Sequence, residues 1–234
     1  MTGRLYGLGV GPGDPELITL KAWRILRSVP VIAYPAPTGG ASFARGIVAS
    51  WLSPAQIEFV ISVPMEEARF PAQSVYDHAA GTIGQHLDAG RDVAVLCQGD
   101  PFFYGSFMYL FGRLAEAYPC TIVPGVSSLG ACAAAAGFPL AARNDAVSVL
   151  PATLPDVELT RRLEACDAAA IIKLGRHFAR VRALLDQLGL ATGARYVERA
   201  TLAEARVLAL DSVEPSDAPY FSMILLHRRG EAWR

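Results

Sequence analysis

Two corners of the chain repeat the same three residues, Gly13-Asp14-Pro15 and Gly99-Asp100-Pro101. Aspartate accepts hydrogen bonds from backbone amides where a helix begins, and proline suits the first helical position because its missing N–H would have no partner there. Glycine lets the backbone approach a ligand that a side chain would hold off. Each corner follows an apolar, strand-like run, residues 5–9 and 92–97. In a parallel sheet the carboxyl ends of the strands share one edge, where ligands collect. One such corner is a capped turn; two on one edge make a candidate ligand site.

Several other chemistries are excluded by spacing. In Gly7-Leu8-Gly9-Val10-Gly11-Pro12-Gly13-Asp14, Pro12 or Asp14 stands where G-x-G-x-x-G requires its last glycine, and no G-x-x-x-x-G-K-[ST] occurs, so neither the dinucleotide fingerprint nor the P-loop is present. Cys97, Cys120, Cys132 and Cys166 form no C-x-x-C, and His78, His86, His177 and His227 form no H-E-x-x-H; no metal site is expected. Apolar neighbours suggest that the thiols are buried in a reducing compartment. The histidines read as structural or surface residues, with His177 the one to test for a substrate contact.

The elements that position the corners follow from periodicity. In the first half, strand-like 5–9 and 31–34 alternate with helix-like 15–28 and a helix after Ser42, implying parallel strands with crossover helices. Residues 71–89 make the clearest helix, with Val75, Ala79, Ile83 and Leu87 at i+4 spacing and Gly90 placed to end it. After Pro119 the pattern restarts: strands at 120–123, 146–150, 168–174 and 195–198, and helices from Ser127 and over 176–188. Strands at 205–210 and 220–226, separated by a Pro-, Ser- and Asp-rich turn, are expected to pair as an antiparallel hairpin. The reading is an α/β protein of two domains, 1–118 with a mostly parallel sheet and 119–234 with a mixed sheet, each flanked by helices.

The motifs taken in order resemble a known family. Gly9-Val10-Gly11-Pro12-Gly13-Asp14 with Pro15-Glu16-Leu17-Ile18-Thr19-Leu20-Lys21-Ala22, then Gly99-Asp100-Pro101-Phe102-Phe103-Tyr104-Gly105, then Pro124-Gly125-Val126-Ser127-Ser128, are similar to the tetrapyrrole (class III) methyltransferases, and the resemblance spans essentially the whole chain. Ile172-Lys173-Leu174-Gly175 and Glu198-Arg199-Ala200-Thr201 agree with it. It implies two α/β domains with a kinked S-adenosyl-L-methionine between them, S-adenosyl-L-homocysteine as product, and a homodimer. Carried over residue by residue, the cofactor contacts are Pro12, Gln98, Gly99, Asp100, Phe103, Ser127, Ser128, Leu174, Ala200, Ser222 and Met223. Phe103, Leu174 and Met223 also fit ordinary core packing.

Within the family, Tyr34-Pro35-Ala36-Pro37, the following Gly-Gly-Ala-Ser turn, a helix with Arg45 and Trp51, and Val63-Pro64-Met65 are similar to the branch that methylates precorrin-2 at C20, not to uroporphyrinogen methylases, which carry an Asp after the second strand. Methylation of cobalt-factor II or of another precorrin carbon is the alternative on the same fold, and a non-catalytic binding module for either ligand is a third reading. A sulfonium methyl is already activated, so the protein must chiefly hold the accepting carbon in line and exclude water. No residue is assigned as the base that takes the departing proton; bound water or a substrate nitrogen suffices.

With 21 Lys+Arg against 22 Asp+Glu the net charge is -1, so no global field draws the chain to nucleic acid or anionic lipid. The tetrapyrrole carboxylates must meet local cations, and Arg45, Arg69, Lys173 and Arg176 are the candidates; Arg180 and Arg182 read as helix surface. Residues 119–142 carry no charge, but Pro and Gly break the run well short of the roughly 20 residues a membrane span needs, and it reads as a buried Ala-rich helix. No secretory leader is seen, so a cytoplasmic protein is expected.

Overall fold

Alternating side chains divide the first sheet between two cores. A computed structural model describes residues 1–64, 73–214, 218–230 and 232, which form two units, Met1–Ser127 and Ser128–Arg234. The first runs β1 (Leu5–Gly9), α1 (Leu20–Ser28), β2 (Val31–Pro37), α2 (Phe43–Val48), β3 (Ile57–Val63), α3 (Gln73–Asp88), β4 (Val93–Cys97), α4 (Phe107–Leu114) and β5 (Cys120–Val123). Its strand order is β3-β2-β4-β1-β5, with every pairing parallel. All five residues of β4 are buried, as a central strand covered on both faces requires. Val93, Val95 and Cys97 join one core with Tyr76, Ile83 and Leu87 of α3 and Phe107 and Leu110 of α4. Ala94 and Leu96 point the other way, to Leu26 of α1 and Ile47 and Val48 of α2.

The path of the chain reverses direction within this sheet. From β1 it crosses to β2 on one side, and from β4 it crosses to β5 on the other, so β1 and β4 flank a topological switch point, where α/β sheets open at their carboxyl edge. Both Gly-Asp-Pro corners leave from these two strands.

The second unit runs α5 (Ser128–Ala135), β6 (Val147–Pro151), α6 (Asp156–Glu164), β7 (Ala168–Ile172), α7 (Phe178–Gln187), β8 (Arg195–Glu198), β9 (Arg206–Ala209) and β10 (Ser222–His227), in the mixed order β6-β7-β10-β8-β9. Strand β6 pairs parallel with β7, and the other pairings are antiparallel. Ile224 and Leu226 of β10 face a core with α6 and α7, while Met223 and Leu225 face Ala131 and Cys132 of α5.

Four expectations change. The strand at 120–123 belongs to the first sheet, pairing with β1 from Leu5↔Cys120 to Leu8↔Val123, so the units part at Ser127 and Ser128, later than the boundary expected after residue 118. The closing strands do not form a hairpin: β10 inserts between β7 and β8, and β9 pairs with β8 at the edge, because the all-buried β10 demands a central place that the largely exposed β9 does not. The helix expected at 15–28 is a 3-10 turn over Pro15–Leu17 followed by α1, with Asp14 capping the turn and Thr19 capping the helix. The Ala-rich helix α5 buries only Ala131 and Cys132 and exposes Ser128, Gly130, Ala134 and Ala135. Pro71 and Ala72, expected to start the helix before Gly90, lie outside the described residues.

Candidate functional site

In the first unit the two corners are bonded to each other. Gly99 N donates to Gly11 O at 2.7 Å, Gly11 N donates to Gly99 O at 3.4 Å, and Val10 N donates to Cys97 O at 2.9 Å. The β1–β4 pairing thus continues past the strand ends as an isolated antiparallel bridge. Gly11 and Gly99 have φ of 85° and 65°, a left-handed backbone that glycine adopts without a steric penalty.

The Pro124-Gly125-Val126-Ser127-Ser128 segment docks on the same place. Asp100 accepts from Phe102 N at 2.9 Å through Oδ1 and from Gly125 N at 3.1 Å through Oδ2, so one carboxylate caps its own loop and holds the neighbouring one. A Cβ on Gly125 would stand 2.0 Å from Gly99 O, and one on Gly9 would stand 2.6 Å from Gly125 N. These glycines are therefore required by loop-on-loop packing. They lock the corners of β1, β4 and β5 to one another. Pro12 and Gly99 are buried, Gln98, Asp100 and Ser127 are half-buried, and Ser128 is exposed. Phe103 is 36% exposed, which sets it apart from core packing. Burial forces the Cys97 thiol, at the end of β4, far above its ordinary range, so it stays protonated and inert.

In the second unit the carried-over positions are mostly interior. Leu174 is completely buried in the core shared with Phe178, on the opposite face of the sheet from Met223 and Ala200, which share a cluster with α5. Ser222 Oγ donates to Pro219 O at 2.5 Å. Backbone strain gathers around these residues: Lys173, Arg199 and Thr201 have φ of 60°, 48° and 73°, a region that costs non-glycine residues of order 1–3 kcal/mol and concentrates at functional sites. Glu198, ahead of Arg199, is a buried carboxylate that accepts from Tyr196 OH and Arg206 Nε, each at 2.6 Å. Burial opposes its ionisation, but Arg206 and Tyr196 outweigh that and hold its pKa below the ordinary value.

The expected substrate cations are placed differently from one another. Arg45 makes a two-pronged pair with Glu58, Nε to Oε2 at 2.5 Å and Nη2 to Oε1 at 2.9 Å, and Tyr34 OH donates to the same carboxylate at 2.8 Å. Glu58 aligns with Ile32 near the start of β3, away from the corner edge. Lys173 is half-buried and Arg176 exposed after β7. Arg69 lies outside the described residues. Arg180 and Arg182 are staples rather than free surface: Arg180 bonds Asp156 and the carbonyl of Ala152, and Arg182 donates to Val213 O at 3.0 Å. Among the described residues, no group of three or more His, Cys, Asp or Glu could hold a metal, and no helix is long and apolar enough to cross a membrane. The four cysteines are free.

Sequence reasoning missed two features. His227 reads from the sequence as a structural or surface residue, and its Nε2 lies 3.2 Å from Asp145 Oδ2, a pairing across 82 positions that local spacing cannot show. Tyr104, in the second corner, takes φ 57° and is 47% exposed; its run of aromatics before Gly105 was the available signal.

The model of the family described as Tetrapyrrole (Corrin/Porphyrin) Methylases matches residues 4–213, and the chain belongs to that family. It is 46% identical over 232 residues to the cobalamin biosynthesis protein CobIJ of Mycobacterium tuberculosis, a match covering 96% of this chain and 46% of that protein; the chain spans about half the length of this relative. It is 40% identical to the precorrin-2 C(20)-methyltransferase of a Sinorhizobium species, covering 96% and 95% of the two chains, and 34% identical to the cobalt-precorrin-2 C(20)-methyltransferase of Salmonella typhimurium, covering 99% of each. Among solved structures, uroporphyrin-III C-methyltransferase of Thermus thermophilus complexed with S-adenosylhomocysteine superposes with a TM-score of 0.70 at 25% identity, over 97% and 98% of the chains.

Proposed function

We propose that the chain methylates precorrin-2 at C20, using S-adenosyl-L-methionine and giving precorrin-3A and S-adenosyl-L-homocysteine, a step of cobalamin biosynthesis. The observation that carries this reading is the 40% identity, over nearly the whole of both chains, to a relative named for that reaction. The same reading carries a small-molecule tetrapyrrole as the partner, no nucleic acid, and a cytoplasmic homodimer.

The residues of the first unit fit a methyl donor. The corners of β1 and β4 are fixed by reciprocal backbone bonds, the Asp100 carboxylate holds the third loop to them, and Gln98, Phe103 and Ser127 remain accessible at their margin. Pro12, Gln98, Gly99, Asp100, Phe103 and Ser127 are the proposed contacts there; Ser128, Leu174, Ala200, Ser222 and Met223, in the second unit, are proposed from the resemblance. When bound, the donor supplies a methyl group already activated by its sulfonium charge. What remains for the protein is placement: a loop edge without slack fixes the geometry, and preorganisation of this kind lowers the barrier without a nucleophile or a metal. Lys173 and Arg176 are the proposed carboxylate contacts in the second unit, with Arg45 and Arg69 as further candidates in the first. No side chain is assigned to accept the proton that leaves the methylated carbon.

The name of the Salmonella relative supports a second reading, in which the ring already contains cobalt. Anaerobic turnover with labelled donor, read by mass spectrometry, separates them: one methyl enters precorrin-2 faster than cobalt-precorrin-2 on the first reading, and the order reverses on the second. Incorporation into neither overturns both.

A further inference from the structure

The loop after β4 sets three aromatic rings in a row and disposes of them differently. Phe102 turns toward α4 and meets Phe111 edge-on, with centroids 5.2 Å apart and planes at 81°. Phe103 and Tyr104 meet each other edge-on at 5.2 Å and 83°, and Tyr104 remains 47% exposed. Its backbone is left-handed, with φ 57°, a conformation that is a genuine outlier for a bulky residue.

The loop is too rigid for this to be slack. Gly99 is tied to Gly11, Asp100 spends both oxygens on backbone amides, Pro101 is buried, and a Cβ on Gly105 would stand 2.6 Å from Pro101 O. The fold thus holds a large, partly apolar ring out from the candidate edge in a conformation that glycine would adopt without strain. Strain kept in place by a well-determined surrounding is a mark of function.

We infer that Tyr104 is a positioning residue for the tetrapyrrole. The inference rests on the methyl-transfer reading and goes beyond it by separating the two ligands on one loop. Because the Phe103 and Tyr104 planes stand at 83°, a ligand lying on the face of one ring does not lie on the face of the other. Phe103 is the proposed donor contact, and Tyr104 presents the second surface. An aromatic ring suits a tetrapyrrole, because its face packs on the apolar pyrrole carbons.

The test uses the full chain with Tyr104→Gly and Tyr104→Phe. Sirohydrochlorin, the stable oxidised form of precorrin-2, is titrated by absorbance into protein saturated with S-adenosylhomocysteine, whose own affinity is measured by calorimetry. Tyr104→Gly removes the ring and relieves the backbone, so it is expected to fold with an unchanged melting temperature or a higher one. The prediction is about 10-fold weaker sirohydrochlorin binding in Tyr104→Gly, less than about 2-fold change in Tyr104→Phe, which keeps the ring, and less than about 2-fold change for S-adenosylhomocysteine in either, as loss of one aromatic contact implies. Unchanged sirohydrochlorin affinity in Tyr104→Gly, a parallel loss of S-adenosylhomocysteine affinity, or no sirohydrochlorin binding by the wild type overturns the inference. Tyr104-dependent binding by a wild type that transfers no methyl leaves the inference standing and removes the proposed function instead.

Discussion

Asp100 Oδ2 accepts a hydrogen bond from Gly125 N at 3.1 Å, so one carboxylate joins the loop after β4 to the loop after β5. Its other oxygen caps Phe102 N. Removing it leaves two amides without their acceptor, each worth about 1–3 kcal/mol where water cannot replace it. Asp100→Ala is expected to stay folded and to bind S-adenosylhomocysteine about 10-fold or more weakly by calorimetry, with Asp100→Asn between it and wild type. Equal affinities would show that this edge does not hold the donor.

Gly125 and Gly112 make a matched pair. A Cβ on Gly125 would stand 2.0 Å from the carbonyl of Gly99, whereas one on Gly112, in α4, meets nothing within 4 Å. Gly125→Ala should lose about 3 kcal/mol or fail to fold; Gly112→Ala should gain about 1 kcal/mol, because alanine is the better helix former. Chemical denaturation of both reads the contrast, and a tolerated Gly125→Ala would mean the three loops are not packed as described.

Arg45, a candidate for a substrate carboxylate, is paired with Glu58. Its hydrogen bonds with Glu58 hold that carboxyl below its ordinary value of 4.5, against the opposing effect of burial and with help from Tyr34. A depressed carboxylate pKa contributes stability that is complete above the ordinary value and fades as pH falls through the lower, folded one. Glu58→Gln should therefore flatten the upper part of the acid-unfolding curve. Arg45→Ala should cost about 1 kcal/mol or less, since the pair is partly exposed, and raise the KM for the tetrapyrrole about 10-fold. A KM near wild type would show that Arg45 stays with Glu58 and meets no substrate carboxylate.

In the second unit, Asp145 gathers the Ala142 amide, Arg229 and His227. Arg229 N donates to His227 Nδ1 at 3.2 Å, so the ring proton sits on Nε2 and points to Asp145. The Ala142 amide first, then Arg229 and His227, hold the Asp145 pKa at about 2 against the opposing effect of burial. Its stabilisation is present above the ordinary value of 3.8 and disappears as pH falls through about 2. The melting-temperature gap between wild type and Asp145→Asn should be full at neutral pH and close toward pH 2. A gap independent of pH would remove the ionised carboxylate from the account.

What the sequence made legible was local. Alternation and caps located β1, β4 and β8, and the repeated Gly-Asp-Pro corners led to one edge of one sheet because both follow strands that turn out to be neighbours. Partnership between distant segments was not legible. Nothing local distinguishes β5 as a strand of the first sheet, since four residues, three of them half-buried, fit either unit. The hairpin expectation failed because a turn-rich linker fixes where a chain reverses, not which strand it pairs with next. The Arg45–Glu58 and His227–Asp145 pairs were missed for the same reason: each joins a strand residue to a group outside the sheet that only the folded chain brings near. The role of the glycines changed most. The repeated corners suggested room for a ligand, and the contacts of Gly9, Gly99 and Gly125 add a lock between loops that spacing alone does not show.

The most direct test of the central claim is anaerobic turnover of precorrin-2 with donor carrying a carbon-13 methyl group, followed by NMR of the product. The account predicts one new labelled methyl, bonded to C20. A label on any other carbon, or no transfer to either precorrin-2 or its cobalt complex by a folded protein that binds S-adenosylhomocysteine, would contradict it.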